Sequence, residues 1–338
     1  MKEAMFYEKI AGGDVSCGLC RFRCHIAQGK RGICGVRENS GGVLYSLVYG
    51  KAVARQVDPI EKKPLFHFRP GSKSYSIATV GCNFRCRHCQ NYQISKAPMD
   101  GFQITGPQFP PEEIVLNAVA SGCSSVSYTY TEPTIFYEYA FETAVLAKEA
   151  GLGNVFVTNG YITREALVHI SPYLDAANID LKGFSEYFYR EVVHARLGEV
   201  KDSIIEYKKQ GIWIELTTLI IPDMNDSDRE LEEIARFIVE NLGSDTPWHV
   251  SQFYPTHELT DKPRTPVSTL RRAREIGLNA GLHYVYEGNV PGDGGENSFC
   301  PGCGNTVVRR HGYLILENKI EGGRCPFCAG TIAGIFSK

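Results

Sequence analysis

Residues 76–91 read SIATVGCNFRCRHCQN, an apolar, strand-like run that leads into a loop carrying Cys82, Cys86 and Cys89. The spacing of these cysteines is C-x3-C-x2-C. Because thiols in the cytosol are kept reduced, three thiolates so close together indicate a shared metal ion or cluster rather than disulfides. The other cysteines support this interpretation, since four lie near the N-terminus, four lie near the C-terminus, and Cys123 is alone.

Two kinds of metal site fit the three-cysteine loop. An iron-sulfur cubane takes four thiolates, so three local cysteines would leave one iron open for a ligand that is not protein. The alternative is a zinc site whose fourth ligand lies elsewhere in the chain. The loop closely resembles that of the radical S-adenosylmethionine (SAM) enzymes, in which the amine and carboxylate of SAM chelate the open iron. This resemblance implies a [4Fe-4S] cluster on Cys82, Cys86 and Cys89, with SAM as its partner.

The composition is that of a protein with a large buried core. The chain has 338 residues, of which 43% are hydrophobic, enough for one large domain and one or two small ones. Its net charge of −2 gives no general case for nucleic acid or an anionic membrane as a partner. The first residues lack the apolar segment of a signal peptide, and no apolar run approaches the roughly 18 residues of a membrane span. We therefore expect a soluble, cytoplasmic protein.

Strand-like and helix-like patterns alternate from residue 76 onward, as in parallel βα units, so the expected fold class is α/β. Six units follow one another, and HYVYEGN at residues 283–289 is a possible extra strand. Six units are too few for an eight-stranded barrel. An incomplete (β/α)6 barrel is the core fold of the radical SAM enzymes that the loop resembles, whereas a doubly wound sheet would fit the periodicity almost as well.

We expect three regions along the chain. Residues 1–72 would form an N-terminal four-cysteine knuckle with a connector, residues 73–293 the partial barrel, and residues 294–338 a zinc-ribbon-like or rubredoxin-like module. In parallel barrels, chemistry gathers at the carboxyl ends of the strands, where loops vary on a fixed scaffold. The informative polar residues of this chain follow predicted strands, and we expect them to lie at those ends.

Each terminal region carries a complete set of four thiolates. The N-terminal spacing C-x2-C-x3-C-x9-C fits either zinc or a second iron-sulfur cluster, and its ligands would be Cys17, Cys20, Cys24 and Cys34. The C-terminal spacing C-x2-C-x21-C-x2-C pairs two C-P-x-C knuckles, and its ligands would be Cys300, Cys303, Cys325 and Cys328. Zinc is the preferred expectation for the C-terminal site, with a single rubredoxin-like iron as the alternative.

The resemblance also implies residues that contact SAM. The segment YTEPT stands where radical SAM enzymes carry a Gly-Gly-Glu-Pro segment that binds the methionine amine, and Glu132 is retained there. Tyr130 and Thr131 replace both glycines. Thr158 and Asn159, at the end of the third strand, would contact the ribose. The aspartate that precedes a similar Thr-Asn-Gly in pyruvate formate-lyase activating enzymes is Val157 here, so the ribose contacts must differ in part.

Four further residues complete the expected cofactor site. Asp180 and Lys182, two positions apart at the end of the fourth strand, should share a face. They resemble an Asp-x-Lys pair that contacts the methionine portion of SAM in the same activating enzymes. His257 resembles a histidine near the ribose, and His88 precedes the third cysteine, where an aromatic residue commonly borders the adenine.

Several segments together resemble one family over nearly the whole chain; they are CGLCRFRCHIAQGKRGICGVREN, DPIEKKPLFHF, GCNFRCRHCQN, YTYTEPT and the CPGC and CPFC knuckles. The chain resembles the radical SAM proteins of the AmmeMemoRadiSam system, relatives of the pyruvate formate-lyase activating enzymes. The resemblance implies a link to AMMECR1-domain and Memo-like proteins and an electron donor such as a flavodoxin or ferredoxin. It implies no settled substrate.

Three functions are compatible with these features of the sequence. The first is an enzyme that cleaves SAM reductively to a 5'-deoxyadenosyl radical and abstracts hydrogen from an unidentified substrate. The second is an activase that installs a glycyl radical in a partner enzyme. The third, from another class, is a metal-dependent binding or electron-transfer scaffold that does not cleave SAM.

Overall fold

The computed structural model describes residues 1–99 and 103–336, and it divides the chain into two units. The first unit contains Met1–Asp58, Lys73–Ala177 and Gly198–Ile212. The second unit contains Pro59–Ser72, Asn178–Leu197 and the chain from Trp213 onward. Both units are therefore assembled from separated stretches of sequence. The expected boundaries at residues 72 and 293 follow chain order, and they stay a prediction.

The described chain forms strands from its first residues to its last module. In chain order, the strands are β1 (Lys2–Glu3), β2 (Tyr7–Lys9), β3 (Val15–Cys17), β4 (His25–Ile26), β5 (Arg37–Ser40), β6 (Val43–Ser46), β7 (Ala54–Pro59), β8 (Lys73–Ala78), β9 (Ser125–Tyr128), β10 (Gly153–Thr158), β11 (Ala176–Asp180), β12 (Trp213–Ile220), β13 (Trp248–Gln252), β14 (Val285–Gly288), β15 (Ser298–Phe299), β16 (Thr306–His311) and β17 (Leu314–Asn318).

Helices connect the central strands. They are α1 (Tyr92–Ser95), α2 (Pro111–Ala120), α3 (Tyr137–Glu149), α4 (Arg164–Ile170), α5 (Glu186–Phe188), α6 (Leu197–Lys209), α7 (Asp228–Leu242) and α8 (Val267–Asn279). A π-helical stretch, Tyr189–Val193, follows α5 directly. Across the described residues, no helix combines the length and the apolar character that crossing a bilayer requires.

The N-terminal strands form two small antiparallel sheets in the first unit. Their strand orders are β1-β6-β5 and β2-β3-β4. Arg37 of β5 is 2% exposed and donates from Nη1 to Glu138 Oε1 of α3 at 2.9 Å. Removing either partner of a buried ion pair leaves an unpaired buried charge, which is strongly destabilising. The Arg37–Glu138 pair therefore holds β5 against α3.

The central strands of the first unit are neighbours in the order β7-β8-β9-β10. Strand β9 pairs in parallel with both β8 and β10, with Ser125 opposite Ser74 and Gly153. All four residues of β9 are buried, which is typical of a parallel sheet covered on both faces. The predicted parallel βα pattern is confirmed here.

Helix α3 illustrates why the periodicity of the sequence is informative. The sequence places six residues at the spacing of one helical face, and none of them is more than 1% exposed; they are Phe136, which directly precedes the helix, and Tyr139, Ala140, Thr143, Ala144 and Ala147. The helix ends before Gly151, whose φ of 74° lies in the left-handed region that glycine tolerates.

The central strands of the second unit are neighbours in the order β11-β12-β13-β14. Strand β13 pairs in parallel with β12 and β14, with Trp248 opposite Leu216 and Val285. Strand β14 is the extra strand expected from HYVYEGN. The α/β class with mostly parallel strands is thus confirmed, whereas closure into a six-unit barrel stays a prediction. The C-terminal strands form an antiparallel sheet in the order β15-β16-β17.

Candidate active site

The three-cysteine loop leaves the carboxyl end of β8 through a glycine that no other residue can replace without rearrangement. Gly81 has φ 101°, and a Cβ built there would lie 2.6 Å from Val36 Cγ1 and 3.2 Å from the carbonyl oxygen of Cys34. The N-terminal cysteine region therefore packs directly against this loop. Aromatic contacts extend the interface, because the Tyr161 ring centroid lies 4.7 Å from that of Phe22 and 5.1 Å from that of Phe84.

Hydrogen-bonding groups lie beside two of the loop sulfurs. The backbone N–H of Phe84 donates to Cys82 Sγ at 3.4 Å, and Ser95 Oγ lies 3.2 Å from Cys89 Sγ. Burial, then the nearby Glu132 carboxylate, raises the pKa of the Cys82 thiol well above its usual value. A coordinated metal ion would supply the positive charge that deprotonates such a thiol.

Glu132, which follows β9, forms hydrogen bonds to residues at the end of β10. Its carboxylate is 1% exposed and accepts from Thr134 N at 3.0 Å, Thr134 Oγ1 at 2.6 Å, Thr158 Oγ1 at 2.8 Å and Asn159 N at 2.8 Å. Burial raises the pKa of Glu132, although these four bonds oppose the shift. Glu132 therefore braces the loops that carry Thr158 and Asn159, and its predicted contact with SAM stays a prediction.

Asn159 faces the first cysteine of the loop. Its Nδ2 donates to Asn83 Oδ1 at 2.8 Å and lies 3.9 Å from Cys82 Sγ, while its Oδ1 accepts from Tyr161 N at 3.0 Å. Asn83 is fully buried, and its Nδ2 has no hydrogen-bond partner among the described residues. A buried amide donor without a hydrogen-bond partner is energetically costly. The Asn83 amide therefore fits a bound group next to Cys82 that accepts its hydrogen bond.

Tyr130 shows how the chain departs from a glycine motif. Its φ of 63° is left-handed, a conformation that glycine adopts freely and tyrosine rarely does. The Tyr130 hydroxyl donates to the buried Asp58 carboxylate, which also accepts from Ser76 Oγ at 2.8 Å. The Tyr130 carbonyl accepts from Asn91 Nδ2 at 2.8 Å, which ties the strand end to the residues after Cys89. His88 lies nearby in sequence and is 4% exposed, and its adenine contact stays a prediction.

The other expected SAM residues lie in the second unit. Lys182 Nζ donates to Asp180 Oδ2 at 2.8 Å, so the shared face predicted at the end of β11 is confirmed. The backbone N–H of Lys182 donates to Tyr189 Oη at 3.1 Å, where the π-helical stretch begins. His257 has φ 53°, and its Nε2 lies 3.0 Å from Glu258 Oε1. The roles of Asp180, Lys182 and His257 toward SAM stay predictions.

A family comparison decides how the three-cysteine loop is understood. Residues 76–238, which contain the loop and the ends of β9, β10 and β11, match the radical SAM superfamily. The chain belongs to the radical SAM superfamily. Membership implies an enzyme that binds a [4Fe-4S] cluster and SAM, and the loop donors and the buried Asn83 amide fit a thiolate-ligated cluster.

The chain is similar to two proteins of Methanocaldococcus jannaschii and to a solved structure from Sphaerobacter thermophilus. An uncharacterized protein of Methanocaldococcus jannaschii is 47% identical over 98% of this chain and 99% of its own length. A second protein of that organism, provisionally named a glycyl-radical enzyme activating enzyme, is 23% identical over 61% of this chain and 78% of its own. A radical SAM methyltransferase structure from Sphaerobacter thermophilus has a TM-score of 0.51 at 18% identity, covering 66% of this chain and 68% of that one, which supports the radical SAM fold.

Besides the radical SAM loop, the chain has a C-terminal site whose geometry suits one metal ion. All four sulfurs of Cys300, Cys303, Cys325 and Cys328 lie within 4.8 Å of one another. Cys300 and Cys328 are separated by 3.6 Å between sulfurs, and Cys303 and Cys325 by 3.7 Å. Zinc–sulfur bonds of about 2.3 Å in a tetrahedron place sulfurs about 3.8 Å apart. The site can therefore hold a metal ion, and its identity stays a prediction.

The N-terminal cysteines are close enough to affect one another electrostatically. Cys17, Cys20 and Cys34 are buried, and burial raises the pKa of Cys34 to about 11 while Arg37 opposes that shift. Within residues 1–99 and 103–336, the only metal-ligand group whose atoms all lie within 4.8 Å is the C-terminal one. A metal ion or cluster at the N-terminal site thus stays a prediction.

Sequence reasoning missed three parts of the radical SAM site. These are the Ser95 hydroxyl on Cys89, the Asp58 partner of Tyr130, and the Asn83–Asn159 pair. Only Ser95 left a local signal, because it lies six residues after Cys89 and therefore within reach of the cysteine loop. Asp58 lies 72 residues from Tyr130, and Asn159 lies 76 residues from Asn83. Local sequence patterns do not predict contacts at such separations.

Proposed function

We propose that this protein cleaves SAM reductively and abstracts hydrogen from a substrate. The observation that carries the proposal is the three-cysteine loop at the end of β8, within a matched radical SAM region. Cys82, Cys86 and Cys89 would hold a [4Fe-4S] cluster, which when reduced would supply the electron that breaks the carbon–sulfur bond of SAM to give a 5'-deoxyadenosyl radical and methionine. Membership of the superfamily supports an enzyme, and the proposal names no substrate.

The proposal assigns tasks to the residues of the chain. Cys82, Cys86 and Cys89 bind three irons as thiolates. Glu132 holds the ends of β9 and β10 in place through its four hydrogen bonds. Thr158 and Asn159 border the ribose, and His88 the adenine, on the strength of the resemblance.

In the second unit, the same resemblance assigns Asp180 and Lys182 to the methionine portion of SAM and His257 to the ribose. Lys182 Nζ lies 2.8 Å from Asp180 Oδ2, so the two side chains lie together at the end of β11; a partly exposed ion pair without a ligand is the alternative to this assignment. His257 Nε2 lies 3.0 Å from Glu258 Oε1, and its assignment to the ribose rests on the resemblance alone.

The test is an anaerobic assay of 5'-deoxyadenosine. The wild type and Cys86→Ala are reconstituted with iron and sulfide, reduced, and given SAM. Cys123→Ala is the matched control, because Cys123 is buried but belongs to none of the three cysteine groups. We expect product from the wild type and Cys123→Ala and none from Cys86→Ala. A wild type that holds a cluster and binds SAM without making product would favour either the scaffold function or an enzyme that needs its substrate present before it cleaves SAM.

A glycyl-radical activase is the second candidate, favoured by the similarity to proteins with that provisional name. Its substrate would be a glycine in a partner protein. The reduced chain with SAM should then give that partner a persistent organic radical signal in electron paramagnetic resonance. Deoxyadenosine production that responds to a small molecule and leaves no protein radical would exclude this candidate.

The chain's place in an AmmeMemoRadiSam system is also a proposal, supported by segments that span nearly the whole sequence. Its partners would be AMMECR1-domain and Memo-like proteins and a flavodoxin or ferredoxin in the cytoplasm. Co-purification of the full-length holoprotein with purified candidates tests this directly. We further propose zinc at the C-terminal site, to be checked by metal analysis of the purified protein.

A further inference from the structure

Ser95 is a buried hydroxyl beside the third cysteine of the loop, and it belongs to no recognised part of the motif. Its side chain is 3% exposed, and its Oγ lies 3.2 Å from Cys89 Sγ. It is the last residue of α1, the single helical turn that follows the cysteines. This placement gives a neutral hydroxyl direct access to a thiolate that would bind iron.

The turn that carries Ser95 is held at both ends. Ser95 N and Ile94 N donate to the Asn91 carbonyl at 2.9 and 3.1 Å. Asn91 is itself tied through its side chain to the Tyr130 carbonyl. At the other end, Gly81 N, one residue before Cys82, donates to the Ile94 carbonyl at 2.9 Å. The position of the Ser95 hydroxyl is therefore set by the same backbone that positions the cysteines.

The direction of the hydrogen bond follows from the chemistry of the site. A cysteine that binds iron is a thiolate and has no proton to give. A serine hydroxyl has one proton and can rotate to donate it. In the metal-bound protein, Ser95 must therefore be the donor and Cys89 the acceptor. Bonds to an ionised acceptor are stronger than bonds between neutral groups.

Cys82 receives donors in the same way. The Phe84 N–H reaches its sulfur at 3.4 Å, and Asn159 Nδ2 lies 3.9 Å from it. Donors to the sulfurs are one of the means by which proteins set the reduction potential of such clusters. Of these donors, the Ser95 hydroxyl can be removed without changing the backbone or the residues assigned to SAM.

We propose that Ser95 raises the reduction potential of the cluster by donating its hydroxyl proton to the Cys89 thiolate. This inference rests on the proposed function. One electron enters from a low-potential protein donor, no bond forms or breaks, and the added charge falls partly on the sulfurs. The Ser95 hydroxyl stabilises the more negative, reduced form more than the oxidised form, so reduction becomes easier. Ser95 is a positioning residue that acts through Cys89.

The test measures the midpoint potential of the reconstituted full-length protein by redox titration followed with electron paramagnetic resonance. Ser95→Ala removes the donor, and Ser95→Thr keeps it. At a fixed ambient potential, we expect the ratio of reduced to oxidised cluster to fall about tenfold in Ser95→Ala, equivalent to about 59 mV for one electron. Ser95→Thr should titrate as the wild type does.

Ser203→Ala is the matched control. Ser203 is 1% exposed and donates to the Ile162 carbonyl at 3.0 Å, so the variant also loses one buried hydrogen bond of the first unit. An unchanged midpoint in Ser95→Ala, or an equal shift in Ser203→Ala, overturns the inference. If Ser95→Ala takes up no cluster, Ser95→Val decides by comparison with Ser95→Thr, because the two side chains have the same shape and only threonine carries a hydroxyl. Equal midpoint potentials in these two variants overturn the inference.

The outcomes for the inference and for the proposed function are separable. A wild type that loads a cluster but makes no 5'-deoxyadenosine counts against the proposed function, and the potentials still decide the role of Ser95. A wild type that makes the product while Ser95→Ala keeps the wild-type potential overturns the inference alone. A wild type that binds no iron at Cys82, Cys86 and Cys89 overturns both.

Discussion

Tyr130 occupies a backbone conformation that costs a non-glycine residue about 1 kcal/mol or more. The structure compensates with the bond from its hydroxyl to Asp58, which lies 72 residues away in the sequence. The chain thus adopts at Tyr130 a backbone conformation that glycine reaches freely, and a long-range partner stabilises it.

Removing the Tyr130 hydroxyl should therefore lower stability. We expect Tyr130→Phe to lose about 1–2 kcal/mol of unfolding free energy, because the buried Asp58 carboxylate loses a donor while the strained backbone remains. The control is Tyr254→Phe, since Tyr254 is 39% exposed and should change stability by less than about 0.5 kcal/mol. Urea denaturation of the holoproteins measures both, and equal effects would contradict the assigned role of Asp58.

His67 should make the second unit sensitive to acid. Burial lowers the pKa of His67 to about 4 from the usual 6.5, although Glu215 opposes the shift. Its Nδ1 lies 2.6 Å from the Ala333 carbonyl and its Nε2 2.5 Å from Tyr286 Oη, so the neutral ring donates from Nδ1 and accepts at Nε2. Between pH 6.5 and 4 the unfolded chain binds a proton that the folded chain does not, so stability falls as the pH falls through this window.

From pH 7 to pH 5 this difference amounts to about 2 kcal/mol. The measurement is the denaturation midpoint of the wild type and His67→Gln at both pH values. The variant should be less stable at pH 7 but should lose less stability on acidification, because it lacks the titrating ring. Parallel pH profiles for the two proteins would show that other groups, such as the neighbouring Glu215, account for the acid sensitivity.

At the scale of elements, the loop after β8 depends on its fit to the N-terminal region. Gly81→Ala would bring a Cβ to 2.6 Å from Val36 Cγ1 and would also strain a φ of 101°. We expect a loss of more than about 2 kcal/mol and less bound iron per chain, since the loop must move away from the residues that support it. Thermal midpoint and iron content report the two effects.

Gly122→Ala separates the backbone cost from the packing cost. Gly122 has φ 65°, and a Cβ there would meet nothing within 4 Å. It should lose only about 1 kcal/mol and keep the full iron content. Equal losses in the two variants would mean that the contact with Val36 and Cys34 does not support the loop.

At the scale of the whole chain, the module that contains the C-terminal four-cysteine site is connected to the segment before β8. Ile335 N donates to the His67 carbonyl at 2.7 Å, and Arg69 N donates to the Ile335 carbonyl at 2.6 Å. Arg310 of β16 donates to the Phe66 carbonyl at 2.9 Å. The module that the metal would hold together therefore supports residues 66–69, far away in sequence but in the same unit.

If the C-terminal site holds a metal ion, its loss should destabilise both the C-terminal module and residues 59–72. We expect Cys325→Ser to lose the C-terminal ion and to become more sensitive to proteolysis within Thr306–Asn318 and within residues 59–72, because metal binding supplies much of a small module's folding energy. Cys123→Ser is the control and should behave as the wild type. Metal loss without faster cleavage in residues 59–72 would show that the contacts with Ile335 and Arg310 do not depend on the ion.

The sequence by itself determined the features that depend on local spacing. Cysteine separation predicted three candidate metal sites, of which the C-terminal one has its four sulfurs within 4.8 Å of one another. Periodicity predicted the parallel strands, the buried face of α3 and the shared face of Asp180 and Lys182, because side-chain direction repeats along a helix or strand. Only the tertiary structure decided which distant groups meet. Three such pairs are Arg37 with Glu138, Asp58 with Tyr130, and Asn83 with Asn159. Long stretches of chain separate the partners, and local sequence patterns do not predict which distant segments pack together. Each buried polar group then forms its hydrogen bond with the partner that this packing places beside it.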